Sequence, residues 1–385
     1  MSFRSQSQRQ RYFPPAASPF VTHIAAVRSV FPPHRYAQAE ITDMVAELGG
    51  LGQAQRSLLA RLHANSGVKF RHLVFPIEEY RDVHGIGPSN ERYAGAATGL
   101  AEQALRCALG QTGVLASDLD LLIVTSVTGV TVPSIDALLI PRLGLRPDIK
   151  RLPVFGLGCV AGAAGLARLH DYLLGWPAHT AALVSVEVCS LCWPRAEITT
   201  ADLVVSGLFA DGAVAVVARG EQAAEEHGRS ARPGGPPGAA GGPRIIATHS
   251  EVCPDSTDAL GWRLGPDGFR IVLTTDLSDV VEHKLAALVT SFLARHGLTV
   301  DDIGSWIGHP GGPKVIEAIR RSLNLPDSAV AVSRRSLAEV GNLSSASVLH
   351  VMEMTQAQCP PPAGSYGVMI GLGPGVSVEL ILMQW

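Results

Sequence analysis

Three residues combine a reactive side chain with an unusual local setting: Cys159, His309 and Asn342. Cys159 stands in Phe155-Gly-Leu-Gly-Cys-Val-Ala-Gly-Ala-Ala-Gly165, where a short apolar strand pattern gives way to a helical one. The switch puts the sulfur at a helix N-terminus, whose free N–H groups and dipole favour a thiolate and hence a nucleophile. The Gly and Ala residues that follow let another backbone approach closely, as in a helix buried between layers; the other reading is a core cysteine in a tightly packed helix. His309 opens His-Pro-Gly-Gly-Pro-Lys314. Pro310 forces an extended entry, the two glycines permit a turn and Pro313 suits a first helical turn, so four constrained residues aim one imidazole. Asn342 lies in Glu339-Val-Gly-Asn-Leu-Ser-Ser-Ala-Ser347, which also reads as an ordinary helix cap.

Alternating strand and helix patterns must position these groups. In the first half, residues 118–125, 152–158 and 181–188 read as strands. Residues 91–107, capped by Asn90, and 160–174 read as helices. In the second half, 278–296, 313–323 and 343–358 read as helices, and 305–308 and 366–372 as strands. The halves end alike: Phe209-Ala-Asp-Gly212 and Gly373-Pro-Gly375 each join two strands. The pattern predicts an α/β layered fold built on a duplicated unit. Its parts are a tail over 1–18, a first half over 19–220, a charged and then Gly/Pro-rich linker or loop over 221–243, and a second half over 244–385.

Bulk properties narrow the function. A net charge of −3 argues against nucleic-acid binding. No apolar stretch is long enough to span a membrane, and the polar run Arg4 to Arg11 has no secretory h-region after it, so a cytoplasmic location is expected. The six cysteines then read as free thiols. Cys189 and Cys192 have CxxC spacing, but no second pair or nearby His pair completes a zinc site, so no metal is expected there. Gly371-Leu-Gly-Pro-Gly375 is not a dinucleotide fingerprint, because it contains Pro374 and precedes a strand.

Taken in order, Cys159, the HPGGPK segment, the GNLSSAS segment and the closing Gly371-Leu-Gly-Pro-Gly-Val-Ser-Val-Glu379 resemble the chalcone and stilbene synthase superfamily, the type III polyketide synthases. Leu208-Phe-Ala-Asp-Gly-Ala213 is similar to the segment before that family's mid-chain strand. The resemblance runs from about residue 20 to the C-terminus and implies a thiolase-like fold of duplicated, layered αβαβα halves, a homodimer, and Cys159, His309 and Asn342 as catalytic triad. It also implies pocket roles for Phe209 as a gatekeeper, for Glu187, Cys189 and Cys192, for Val127, Thr128 and Val132, for Ser344, and for Gly371 and Pro374. Val127, Thr128 and Val132 belong to a segment that in the family also reaches the dimer interface. A second gatekeeper aromatic is not found in Ile271 to Asp276, and Thr275 receives no role. Arg61 is the best match to the basic residues at the family's CoA tunnel; Arg71 and Lys314 match less well.

The implied chemistry is decarboxylative condensation. Cys159 takes an acyl group from a CoA thioester. His309 and Asn342 donate hydrogen bonds to the enolate that malonyl-CoA leaves on losing carbon dioxide, and His309 holds the thiolate. The acyl-CoA and malonyl-CoA are substrates, and no cofactor is called for. Few aromatic or charged groups occur among the implied pocket positions, so an apolar, elongated pocket is expected, as in bacterial alkylpyrone or alkylresorcinol synthases using medium- or long-chain fatty acyl starters. Alternatives are a malonyl-primed tetrahydroxynaphthalene-type or chalcone-type synthase, and a ketoacyl-ACP synthase III. An inactive acyl-CoA-binding relative would have lost one of the three residues, and all three are present.

Overall fold

A strand that is apolar on both faces needs cover on both sides, and Thr180–Val188 (TAALVSVEV) is such a strand. Its Ala182, Val184 and Val186 enter one core cluster and its Ala181 and Leu183 another, following the two-residue period of a pleat. This is the organising element of the computed structural model, which describes residues 21–83, 85–193, 198–230, 242–254, 256, 259–265, 268–273 and 277–385. The tail expected over 1–18, part of the linker and Thr275 lie outside the described residues.

In chain order the first elements are β1 (Thr22–Val30), β2 (His34–Ala37), α1 (Gln38–Leu48), α2 (Gln53–Ala64), β3 (Phe70–Leu73) and α3 (Ile86–Thr112). Then come β4 (Leu121–Thr125), α4 (Ile135–Leu143), β5 (Lys150–Val154), α5 (Ala161–Gly175), β6 (Thr180–Val188), α6 (Thr200–Ser206), β7 (Asp211–Gly220) and α7 (Glu221–Ser230). The second half holds β8 (Arg244–Val252), β9 (Leu260–Gly265), β10 (Gly268–Leu273), α8 (Leu277–Ala294), β11 (Ile303–Gly308) and α9 (Pro313–Ser322). It closes with α10 (Ala331–Val340), α11 (Ser347–Gln358), β12 (Tyr366–Gly373) and β13 (Ser377–Gln384).

Nine strands form one mixed sheet in the order β11-β12-β13-β8-β1-β7-β6-β4-β5. The same succession of pairings occurs twice. β4 and β6 are parallel, and β6–β7 and β7–β1 antiparallel; β11 and β12 are parallel, and β12–β13 and β13–β8 antiparallel. The halves meet where Thr22 pairs with Ile245 and His23 with Arg244. Three cores give the layers: α3 packs outside the first half-sheet, α8 and α9 outside the second, and α5 with α11 between them.

The middle layer explains the small residues after Cys159. A Cβ placed on Gly162 would lie 2.0 Å from the Ser345 carbonyl oxygen, a backbone atom that cannot yield. Gly162→Ala is therefore expected to destabilise the fold by about 3 kcal/mol through overpacking. Urea unfolding measures this, and an unchanged midpoint would refute the contact.

Two sequence expectations need correction. The helix read over 91–107 runs over Ile86–Thr112, and Asn90 is not its cap. Its amide instead bonds the Val130 carbonyl and N–H, each at 2.7 Å. The segment read as linker from residue 221 begins as helix α7, because its Glu, Gln and Ala residues are good helix formers before the Gly/Pro run starts. No helix of the described residues is long and apolar enough to cross a membrane.

Candidate active site

Cys159 sits in a single 3-10 turn, Gly158–Val160, that runs into α5. Its Sγ lies 3.6 Å from the Ser344 hydroxyl and packs with Cys189, Val205 and Phe209. Burial pushes its thiol up to about 12; the Ser344 hydrogen bond works against that rise and the buried Glu187 carboxylate adds to it. Desolvation thus opposes the thiolate expected from the helix terminus more strongly than one short turn of N–H groups favours it.

Asn342 is fixed by three hydrogen bonds to its side chain. Its Oδ1 accepts from the Ser344 N–H at 2.8 Å and from the Ser347 hydroxyl at 3.1 Å, and its Nδ2 donates to the Gly311 carbonyl at 3.0 Å. Two acceptor contacts on one side of the amide fix its orientation, and an amide nitrogen carries two protons, so one N–H is left for a ligand. The same contact turns Ser344 to a positive φ of 51° and brings its hydroxyl to Cys159. The Gly311 carbonyl that Asn342 holds belongs to the turn after His309. The His309 N–H is tied to the Ile370 carbonyl at 2.9 Å, and the Gly311 N–H to the His309 carbonyl at 3.0 Å. The buried His309 ring has an Nδ1 without a partner, and burial pushes its pKa down to about 4. Cys159, Ser344, Asn342, Gly311 and His309 thus form one connected set, drawn from both halves.

Beside it lies a small, tightly filled compartment. Cys189, Cys192 and Trp193 wall it from the turn after β6, Asp202 and Val205 from α6, and Phe209 from the following loop. The hairpin β9–β10 closes it with Trp262, Phe269 and Ile271. The Phe209 and Trp262 rings are 6.1 Å apart, and those of Trp262 and Phe269 6.5 Å. The expectation of a pocket poor in aromatics does not hold, because the hairpin residues come from a stretch whose pairing the sequence did not reveal. From that stretch Ile271 packs against the Cys159–Phe209 cluster. A second small compartment shares Trp193 and Asp202 with the first and is lined otherwise by Val45, Leu48, Ile198, Leu203 and Ser206.

The remaining sequence candidates fall in different places. Glu187 is wholly buried; its carboxylate accepts from the Val127 N–H at 3.0 Å, the Thr128 hydroxyl at 2.9 Å and the Ser126 and Ser345 hydroxyls, and burial raises its pKa. It, Val127 and Thr128 brace the site from behind and do not line the compartment. Pro374 packs on Gly158, where an added Cβ would come within 2.5 Å of its ring, and Gly371 lies against Ala163. Val132 is 94% exposed, far from a pocket lining in this chain alone. Arg61 and Lys314 are exposed. Arg71 is wholly buried, which rules out a place at a tunnel mouth. Burial raises the Cys189 and Cys192 thiols as it does Cys159.

Comparison with known proteins fits this geometry. Residues 21–221 match the family of chalcone and stilbene synthases, N-terminal domain, and residues 244–385 the corresponding C-terminal domain. A 1,3,6,8-tetrahydroxynaphthalene synthase from Streptomyces peucetius subsp. caesius is 50% identical over 364 residues, covering 94% of this chain and 93% of that protein. The alpha-pyrone synthesis polyketide synthase-like Pks18 of Mycobacterium tuberculosis is 31% identical over 380 residues, 96% of this chain and 93% of its own. The crystal structure of 1,3,6,8-tetrahydroxynaphthalene synthase from Streptomyces coelicolor A3(2), a bacterial type III polyketide synthase, aligns with a TM-score of 0.85 at 29% identity, covering 94% of this chain and 99% of that one.

Proposed function

The chain belongs to the chalcone and stilbene synthase family, and on that premise we propose that its reaction is primed by malonyl-CoA itself and yields a polyhydroxylated naphthalene. As a type III polyketide synthase of thiolase-like fold, it is a decarboxylating acyltransferase that forms carbon–carbon bonds. The observation that carries the finer reading is the 50% identity to the Streptomyces peucetius naphthalene-forming enzyme across nearly the whole chain. The aromatic walls of the compartment support it too, because flat unsaturated rings pack well against Trp193, Phe209, Trp262 and Phe269.

In this reading the Cys159 sulfur attacks the malonyl-CoA thioester, forming a new S–C bond as CoA leaves with the thiol proton. A second malonyl-CoA loses carbon dioxide, and the freed electron pair passes into an enolate. Its oxygen takes hydrogen bonds from the free N–H of Asn342 and from the His309 imidazole. The enolate carbon attacks the acyl–Cys159 carbonyl; the carbon–carbon bond forms, the S–C bond breaks and the sulfur is regenerated. Ring closure by carbon attack on the thioester expels the Cys159 sulfur, the starter's own carboxyl leaves as carbon dioxide, and the ketone oxygens at alternate carbons account for hydroxyls at the positions named in the relative.

Burial alone disfavours a charge on either Cys159 or His309. A proton moved from sulfur to imidazole charges both together and leaves no net charge to desolvate, as in other Cys–His pairs. His309→Gln is therefore expected to shift the midpoint of iodoacetamide alkylation of Cys159 to higher pH, since the imidazole that takes the thiol proton is gone. Superimposable alkylation profiles for the two proteins would refute the pairing.

The second reading, a fatty acyl starter, is supported by the apolar compartment behind Trp193. Mass spectrometry of products from malonyl-CoA alone, against malonyl-CoA with short-, medium- and long-chain acyl-CoA, decides between them. A product from malonyl-CoA alone supports priming by malonyl; product only when an acyl-CoA is added overturns it. The proposal includes a homodimer, supported by the exposed Val130, Val132, Phe155 and Leu157.

A further inference from the structure

We propose that Arg71 is a positioning residue for the pocket wall formed by Phe209 and Asn342, and that it governs how far a chain is extended before release. This rests on the reading of Cys159, Phe209 and Asn342 as the reacting wall.

Arg71 projects from β3 into the protein interior, where it has no exposed surface. One guanidinium nitrogen, Nη1, donates to the Ser206 carbonyl at 2.6 Å and to the Phe209 carbonyl at 2.9 Å. The opposite edge of the same short segment is held by Asn342. Its N–H donates to the Leu208 carbonyl at 2.8 Å, and its carbonyl accepts from the Ala210 N–H at 2.9 Å. Residues 208–210 are thus gripped from two sides, by the candidate oxyanion donor and by Arg71. The arginine stem also backs the turn into Asn342: a Cβ on Gly341, whose φ is 77°, would stand 3.0 Å from Arg71 Cγ.

A buried guanidinium is costly, and here Nε and Nη2 have no hydrogen-bond partner. An apolar side chain would fill the space without that cost, but it would leave the Ser206 and Phe209 carbonyls buried and unpaired. Asp211, the nearby counter-charge, accepts from the Val74 N–H and from the N–H and hydroxyl of Ser190, which stands between Cys189 and Cys192. The charged pair therefore sits behind two walls of the compartment at once: Arg71 behind Phe209, and Asp211 behind the cysteine turn.

The test places Arg71→Met and Arg71→Lys in the full-length protein, alone and combined with Phe209→Ala. Products made from malonyl-CoA, with and without acyl-CoA, are quantified by mass spectrometry as the ratio of early-released to fully extended chains, per Cys159 alkylated by iodoacetamide as read on its own peptide, apart from the exposed Cys107 and Cys359. Arg71→Met is expected to raise that ratio at least about threefold, and Arg71→Lys, which keeps a charged donor, to raise it less. In the Phe209→Ala background either substitution is expected to change it little, because residues acting through one another are not additive. A loss of titratable sites with an unchanged ratio, or effects of Arg71 and Phe209 that simply multiply, would overturn the inference. If Arg71→Met does not fold, Arg71→Lys carries the same comparison. A Phe209→Ala ratio equal to wild type removes the reading of Phe209 itself; a shifted Phe209→Ala ratio with unshifted Arg71 variants removes only the role of Arg71.

Discussion

Cys159→Ala is expected to lower product formation by more than about 10⁴-fold while malonyl-CoA still loses carbon dioxide. Condensation needs a carbonyl held on sulfur, and Cys159 is the thiol placed at the Ser344 hydroxyl, one residue contact from Asn342. Decarboxylation needs only somewhere for the enolate oxygen to go, and the Asn342 contacts to Ser344, Ser347 and Gly311 do not involve the sulfur. Carbon dioxide release and products are measured on one sample. A variant that still condenses would remove Cys159 as the acyl carrier; one that loses both activities equally would place it in the enolate step as well.

The second large effect concerns Asn342. Asn342→Asp has nearly the same shape and keeps the oxygen that accepts from Ser344 and Ser347, so the turn survives. The nitrogen becomes an oxygen facing the Gly311 carbonyl and, in the reaction, the enolate. A donor is thereby exchanged for a repelling acceptor, and decarboxylation is expected to fall about 10²- to 10³-fold, the usual loss for one oxyanion donor. Cys159→Ala with and without Asn342→Asp isolates the effect from condensation. Equal carbon dioxide release from the two would refute the assignment.

Much of this was legible in the sequence because local rules act strongly at a few places. The apolar strand 181–188 and the Gly-rich helix start after Cys159 stand within a residue or two of where the pattern puts them. HPGGPK likewise leads straight into α9 at Pro313. Other features depended on contacts between segments far apart in the chain. Nothing local distinguishes Trp262 and Phe269 as neighbours; they face one compartment because Arg263 and Arg270 are paired across a hairpin. Asn342 carried two readings, and in the structure its one amide holds both the turn at Ser344 and the Gly311 carbonyl beyond His309. Arg71 is the opposite case: a basic residue read as a ligand for an anion is enclosed by backbone carbonyls, and only burial reveals it.

The narrow β1–β8 seam, two residue pairs wide, has a consequence for how this catalyst exists at all. Sulfur comes from one side of it and imidazole and amide from the other, while the polypeptide crosses once, after α7. The described contacts that build the site join residues of the two halves directly, as between Cys159 and Ser344. A gene divided there would encode two fragments, each carrying its own part of the sheet and its own outer helices. Turnover would then follow their association, rising with fragment concentration as in an obligate heterodimer.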